Sequence, residues 1–161
     1  MVFNSAIATE DQTIAGAIDL DLWVSTNQSA ADFVVKLVDV LPGKDVNNNE
    51  VDKQNGNRHE LVRWGVMRGR FRNSMSKPEP FEPNKITQVK FELLDVLHTI
   101  KRGHKLQIQV QSSMFPFLDL NPQKYVDNIF NAKEDDFVKA QHKVYHSEQY
   151  PSAIHFNVID D

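Results

Sequence analysis

The sequence predicts an all-β fold in which two antiparallel sheets stack as a sandwich. Apolar and polar residues alternate with a period of two in several segments, and turns rich in proline, glycine and asparagine separate these segments. Such alternation places the apolar side chains on one face, as in half-buried strands of antiparallel sheets. About eight strands spaced in this way are typical of a sandwich or a barrel. The clearest alternation covers residues 18–24, 33–40, 89–93, 106–111 and 154–158.

A short helix is the one predicted exception to β structure. Asn131 and Glu134 have the spacing of a capping box, although asparagine is the less usual capping residue there. Residues 132–139 would then make about two helical turns, with acidic residues early and Lys139 late, as the helix dipole favours. Weaker alternation predicts further strands at residues 61–67, 69–73 and 140–146.

The composition is that of one globular domain. The chain has 161 residues, of which 40% are hydrophobic, so residues 1–161 are predicted to form a single domain with its own core. No stretch approaches the ~20 apolar residues of a membrane helix. The opening residues lack the basic start and apolar run of a signal peptide, so the sequence indicates no membrane association and leaves the compartment unknown.

Charge and cysteine content exclude several classes of function. The net charge is -4, so the local cluster Arg63, Arg68, Arg70 and Arg72 favours a strand with solvent-facing or domain-facing arginines over a nucleic-acid site. The chain has no cysteine, which excludes a thiol nucleophile, a disulfide framework and a cysteine-based zinc site.

No catalytic motif is present. The glycine spacing of a G-x-S-x-G nucleophile elbow recurs at Gly65 and Gly69, but the central residue is Met67, which cannot attack a carbonyl. Ser112 and Ser113 follow a predicted strand without flanking glycines and are interpreted as hydroxyls closing a strand end. None of the six histidines lies in a recognisable catalytic context. No catalytic residue and no cofactor site are therefore predicted.

Metal binding is also not predicted. His142 and His146 are four residues apart, but on a strand this spacing separates them by about 13 Å, too far for one zinc ion. Acidic side chains on or beside predicted strands could in principle supply the oxygens of a calcium site, but a solvated polar face is the favoured interpretation. These side chains are Asp19, Asp21, Asp32 and Asp39.

One apolar segment stands out beside a polar strand end. Met114, Phe115, Pro116, Phe117 and Leu118 follow the polar residues 111–113, and the proline forbids a regular central strand. Such a segment either folds under the core or is buried against a partner. The sequence leaves both alternatives open, and these five residues are the candidate interface.

An ordered series of motifs resembles the C-terminal domain of the cocaine esterase and X-Pro dipeptidyl-peptidase family, the CocE/NonD hydrolases. The series spans roughly residues 2–158, and the residues of its motifs are most similar to those of the branch of α-amino acid ester hydrolases and cephalosporin acylases. Residues 33–40 resemble the family's DFxVKLxDV strand, 66–74 its R-G-x-x-R strand, 77–84 its proline turn, His98 with 101–105 its AHxFxxGHRI, 111–116 with 121–123 its SSxFPxxDxNPQ, and 144–147 with 150–152 close the series.

The resemblance implies a jelly-roll β-sandwich of the galactose-binding-domain-like type that packs on a preceding α/β-hydrolase catalytic domain. In that family the Ser, Asp and His of the triad belong to the earlier domain, so no catalytic residue carries over to this chain. The implied function is a non-catalytic accessory domain of a serine hydrolase acting on esters, acyl amides or X-Pro peptide bonds. It would shape the substrate cleft or the oligomer.

The sequence departs from the family pattern at several positions. Of the family's Asp-x-Asp before the Phe33 strand, this chain has only the last acid, Asp32. The family also often has an aromatic residue at the position of Met114 and an arginine at the position of Leu120. The chain also begins later than such domains usually do. One or two opening strands are therefore expected to be missing, which would leave an edge able to pair with another chain.

Two other classes of function remain as alternatives. A free-standing carbohydrate-binding module would use exposed aromatics, for which Trp23 and Trp64 are candidates, although both lie in predicted strands and are interpreted as core residues. An enzyme in its own right would require a cupin-like metal site, which the histidine spacing disfavours.

Overall fold

The computed structural model describes residues 1–43 and 56–159, and within these ranges the chain forms nine strands and three short 3-10 helices. The strands are β1 (Val2–Ile7), β2 (Gln12–Thr26), β3 (Asp32–Val40), β4 (His59–Arg68), β5 (Thr87–Ile100), β6 (Lys105–Gln111), β7 (His142–Ser147), β8 (Tyr150–Pro151) and β9 (Ala153–Ile159). The 3-10 helices are Gly69–Phe71, Ile129–Asn131 and Glu134–Asp136.

The strands form two antiparallel sheets. One sheet has the order β1-β6-β3-β4, and the other has the order β5-β2-β7-β8 with β9 also paired to β2. The long strand β2 pairs with β5 along one edge, while β9 and then β7 share its other edge. The predicted all-β sandwich is confirmed, and each of the five clearly alternating segments lies within one strand.

Side-chain alternation builds the core between the sheets. In β2 the even positions from Ile18 to Val24 are buried, as period-two alternation requires. A register shift opposite Gly16 inserts an extra residue in β5. The inward positions of β5 consequently change from odd, as at Leu93, to even, as at Val96. Gly16 has a φ of 86°, a backbone conformation that favours glycine.

Strand β3 lies between β4 and β6 in its sheet, and its side chains are buried on both faces. Phe33, Val35 and Leu37 point into the core, with exposed fractions of 2%, 0% and 0%. Val34 and Val38 point to the opposite face and are also buried. This strand is the least exposed in the described part of the chain, which explains why its sequence is a nearly continuous apolar run.

The predicted helix over residues 132–139 is wrong. The chain there forms a single 3-10 turn, Glu134–Asp136, just after the turn Ile129–Asn131, and no α-helix occurs in residues 1–43 and 56–159. The capping prediction at Asn131 is also wrong, because Lys133 N donates to Asp136 Oδ2 at 3.0 Å and makes Lys133 the capping residue. The turn stops at Asp136 because Phe137 enters an isolated antiparallel bridge with Gln123.

Two strand predictions also change. Residues 69–73 form a 3-10 turn instead of a strand, because the N–H of Gly69 donates to Ala31 O at 2.9 Å and Arg72 N closes the turn on Gly69 O at 3.2 Å. Strand β1 was not predicted, since its six residues do not alternate and all are exposed. The strand predicted at 140–146 begins at His142.

Within the described ranges, no helix has the length and apolar character needed to cross a membrane.

Candidate interdomain interface

The candidate interface lies at the start of the long connection between β6 and β7, residues 112–141, here called the apolar connection. It begins with a tight turn in which the N–H groups of Phe117 and Leu118 donate to Met114 O at 2.9 and 3.2 Å. The Phe115–Pro116 peptide bond within it is cis. Met114 and Leu118 are half-buried beneath the turn, whereas Phe115 and Phe117 expose 67% and 78% of their surface.

These exposures bear on the two alternatives for the segment. A segment folded under the core would bury its largest side chains, but both phenylalanine rings face solvent in this chain. Further large apolar side chains of the same connection are exposed as well, and a concentration of this kind is uncommon on the free surface of a monomer. They are Leu120 at 47%, Phe130 at 76% and Phe137 at 47%.

Arg70 fixes the middle of the apolar connection. Its Nη1 donates to Val126 O at 2.9 Å and its Nη2 to Asp127 O at 3.1 Å, while its guanidinium lies 4.8 Å from the centroid of the Tyr125 ring. Tyr125 is held in turn, since its N–H donates to Ser29 Oγ at 2.9 Å. The fork of arginine suits this role because one planar group can bond two carbonyls and stack on a ring.

Residues 122 and 123 of the connection are bonded to the loop before β3 and to Val138 later in the connection. Ala30 N donates to Gln123 O at 3.0 Å, and Val138 N donates to the carbonyl of the buried Pro122 at 3.0 Å. Lys124 Nζ lies 2.7 Å from Asp136 Oδ1, and this ion pair joins the two sides of the turn region. The connection is therefore irregular in secondary structure but held by backbone hydrogen bonds.

The neighbouring turn is organised by Arg72. Its guanidinium lies 4.2 Å from the centroid of the Phe81 ring and donates to Gly69 O at 2.9 Å and to Pro80 O at 2.8 Å. Burial lowers the pKa of Arg72 from its usual value, and Glu79 opposes the shift. Two arginines of this turn are therefore structural: Arg72, the last residue of the R-G-x-x-R motif, and Arg70, which lies inside the motif. Their clustering is visible in the sequence, but the prediction of a strand with solvent-facing or domain-facing arginines was wrong for both.

The elbow-like glycine pair has a structural explanation. Gly65 lies in β4, where a Cβ atom would come 2.5 Å from a methyl group of Leu93 on the other sheet. Gly69 opens a 3-10 turn, and Met67 is a half-buried strand residue. Ser113 Oγ accepts from Phe115 N at 3.3 Å and so supports the turn of the apolar connection.

The histidines of the rejected zinc motif have separate surroundings. His142 packs edge-on against Phe33 at 6.0 Å between ring centroids, and burial lowers its pKa. His146 packs instead against Phe3 at 6.3 Å. Among residues 1–43 and 56–159, no group of three or more histidine or acidic side chains is arranged to hold a metal ion.

The four aspartates considered for calcium lie in different environments. Asp21 accepts from Gln88 Nε2 at 2.9 Å, and Asp19 is exposed on the same strand. Asp32 is 5% exposed at the start of β3, and its Oδ1 has no hydrogen-bond partner. Burial raises the pKa of Asp32, an effect that a hydrogen bond from Asn121 partly opposes.

Asp39 forms a buried cluster that the sequence did not indicate. Asp39 is 2% exposed, and its carboxylate meets His98 Nε2 at 3.0 Å and His104 Nδ1 at 2.8 Å. The cluster joins β3 of one sheet to β5 of the other and to the turn before β6. Its chemistry is that of a structural bridge, since buried carboxylates require partners of this kind.

The two tryptophans do not form an exposed platform. Both are half-buried in strands, and the Trp23 ring lies 5.3 Å from that of Tyr150.

The two stacked antiparallel sheets define the class of protein, an all-β sandwich domain. Comparison with known families shows its role, because residues 1–155 match the X-Pro dipeptidyl-peptidase C-terminal non-catalytic domain. The chain belongs to that family.

Relatives place the domain within larger hydrolases. An α-amino acid ester hydrolase structure is 42% identical with a TM-score of 0.91, and the match covers 99% of this chain and 25% of that one. An aminopeptidase structure from a marine sediment Thaumarchaeota archaeon is 33% identical with a TM-score of 0.93, covering 99% and 26%. The cocaine esterase of a Rhodococcus species is 25% identical over 159 residues, covering 99% and 25%.

The chain therefore spans about a quarter of the length of these relatives. It corresponds to the non-catalytic C-terminal domain of the CocE/NonD and X-Pro dipeptidyl-peptidase hydrolases, in which a larger remainder of the same polypeptide accompanies it.

Proposed function

We propose that this domain packs on the α/β-hydrolase catalytic domain of a serine hydrolase through its apolar connection and so shapes the substrate cleft. The observation that carries the proposal is the exposure of Phe115 and Phe117 on a turn that is otherwise held in place. Each phenylalanine buries about 150–250 Å² when covered, so this pair alone is enough for the centre of an interface.

The anchoring of the connection supports the same conclusion. Arg70 and the bonds of Ala30 and Val138 hold the backbone before any partner arrives. A surface ordered in advance loses less conformational entropy on docking than a loop that must fold on its partner. A salt bridge of 3.5 Å between Arg68 and Asp119 lies just beyond Leu118 and provides a polar rim.

The relatives support a proposal for the parent reaction. We propose acyl transfer to water on an ester or acyl amide, since the α-amino acid ester hydrolase is 42% identical and the aminopeptidase 33% identical to this chain. The nucleophile, base and oxyanion donors of that reaction would lie on the catalytic domain. This domain would contribute position and shape to the cleft.

A domain exchange tests the proposal. This chain would replace the C-terminal domain of the 42% identical α-amino acid ester hydrolase, and kcat/KM and thermal stability of the chimera would be measured. Changing both Phe115 and Phe117 to serine should lower the chimera's Tm and activity while leaving the Tm of the isolated domain unchanged. The matched control is Leu97→Ser, an equally exposed apolar residue on β5.

Two results would contradict the proposal. One is a chimera in which the double serine variant and the Leu97 variant behave alike. The other is turnover of p-nitrophenyl esters by the isolated 161-residue chain, because the proposal assigns all chemistry to the catalytic domain.

A further inference from the structure

A second apolar surface lies between the two sheets at the β1 edge. A cavity of about 210 Å³, open to solvent, is lined by side chains of both sheets. Its lining is almost wholly apolar, with His146 and Ser152 as the polar exceptions. The other lining residues include Phe3, Leu20, Leu22, Ile108, Val144 and Ile154.

Strand β1 beside this cavity is unusually exposed for an apolar strand. All six of its residues are exposed, and among described residues it pairs with β6 alone. Val2 is 56% and Ile7 57% exposed, and Phe3, which lines the cavity, still exposes 38%. A free apolar edge of this kind is a template for pairing with another strand.

The hydrogen-bond pattern shows which backbone groups of β1 are free. Met1 N donates to Val110 O at 2.7 Å and Val110 N returns a bond to Met1 O at 2.9 Å, so these residues form a hydrogen-bonded antiparallel pair. Bonded and non-bonded pairs alternate along an antiparallel ladder. Val2 and Asn4 therefore direct their backbone N–H and C=O groups away from β6, toward the free edge.

We propose that an extended polypeptide segment adds to β1 as a further strand and places a bulky apolar side chain in the cavity. Its backbone would bond to Val2 and Asn4. The residue opposite Phe3 would share the inward face of Phe3, because directly opposed residues in a ladder point to the same face. A cavity of about 150 Å³ accommodates benzene, so this one has room for a phenyl or leucyl group.

The observations favour an extended segment of a larger polypeptide over other occupants. A small apolar molecule would fill the cavity but leave the edge of Val2 and Asn4 unpaired. A second copy could offer Phe3, but that ring already lies over its own cavity and against His146. The relatives matched by this chain are about four times its length, so further polypeptide accompanies the same domain in them.

The test uses the full 161-residue chain and two synthetic peptides. Both are acetylated seven-residue peptides of alternating threonine and valine; one has phenylalanine and the other alanine at the central, inward-facing position. Binding is followed by the amide shifts of the labelled protein. The phenylalanine peptide should shift amides of β1, β6 and β7 and bind about tenfold more tightly than its twin, a difference of about 1.4 kcal/mol.

Two variants separate the edge from the cavity. Val2→Pro removes a free edge N–H without touching the β1–β6 ladder and should weaken both peptides, whereas the matched Val2→Ala should not. Ala153→Leu fills the cavity from β9 and should abolish the preference for the phenylalanine peptide while leaving the alanine peptide unchanged. The Tm of each variant shows whether it folds.

Several results would overturn the proposal. They are equal binding of the two peptides, binding indifferent to both variants, and binding of N-acetylphenylalanine amide as tight as that of the peptide. Self-association of the chain that Val2→Pro abolishes would assign the edge to a second copy and would also overturn it.

Discussion

The guanidinium of Arg70 lies 4.8 Å above the centroid of the Tyr125 ring, 55 positions away in sequence. This contact joins the turn after β4 to the middle of the apolar connection. The same guanidinium bonds the carbonyls of Val126 and Asp127, so a single side chain holds three consecutive residues of an irregular segment.

Arg70→Lys should loosen the apolar connection. A lysine keeps the charge but cannot bond two carbonyls and stack on a ring at once, so a loss of about 1–2 kcal/mol in the free energy of unfolding is expected. Limited trypsin digestion should show faster cleavage after Lys124 and Lys133. The exposed Arg102→Lys is the control and should digest like the wild type; equal protection in both variants would contradict the anchoring role.

Gly69→Ala should destabilise the sandwich. A Cβ atom at Gly69 would come 2.5 Å from Ala31 O and would also meet the Phe81 ring, so the backbone must shift. Overpacking of this kind costs about 1–3 kcal/mol, measurable by chemical denaturation. Lys77→Ala, an exposed change in the following segment, should stay within about 0.5 kcal/mol of wild type. A stable Gly69→Ala protein would show that the close contact does not constrain this turn.

Asp39→Ala should lower the free energy of unfolding more than the same substitution at an exposed aspartate. The substitution leaves His98 and His104 without their shared acceptor inside the sandwich, and loss of one partner from a buried polar cluster costs about 3 kcal/mol. Asp135→Ala, in an exposed 3-10 turn, is the control. Similar denaturation midpoints for the two variants would refute the bridging role of Asp39.

Asp32 should make stability depend on acid pH. Burial raises the pKa of Asp32 above 3.8, so the unfolded chain releases this proton at a lower pH than the folded one. The contribution of the protonated side chain is therefore fully present below pH 3.8 and is lost as the pH rises through the raised pKa. Each unit of elevation corresponds to about 1.4 kcal/mol.

Asp32→Asn cannot ionise, so the variant should gain stability relative to wild type as the pH rises through that window. Urea denaturation at several pH values measures the difference, with Asp135→Asn as the exposed control. A difference between Asp32→Asn and wild type that stays constant with pH would contradict the raised pKa.

Periodicity predicted the interior of the fold well and its borders poorly. Strands such as β2 and β6 bury one face, so apolar and polar residues alternate along their sequences and the strands can be predicted. Strand β1 has six exposed residues and contributes little to the core, so its sequence shows no such alternation. The segment 132–139 has the charges of a helix, but its chain must return to pair Phe137 with Gln123, and tertiary contacts overrode local preference.

The candidate site was predicted in part for a similar reason. Met114 to Leu118 attract notice because five apolar residues follow a polar strand end, and their position is visible in the sequence alone. The Asp39 cluster has no such signal, since His98 and His104 come within reach of Asp39 only after β3, β5 and the turn before β6 have assembled. Long-range polar contacts of this kind carry no local spacing.

The bonds that secure the apolar connection go mainly to its main chain: Arg70 reaches two carbonyls, and Ala30 and Val138 bond to the carbonyls of residues 123 and 122. These hydrogen bonds do not depend on which side chains the connection carries on its outward face. Phe115, Phe117 and Phe130 can therefore be exchanged for other residues while the loop keeps its course. Surface substitutions alone can therefore change the shape and polarity of this face while the backbone of the connection stays the same.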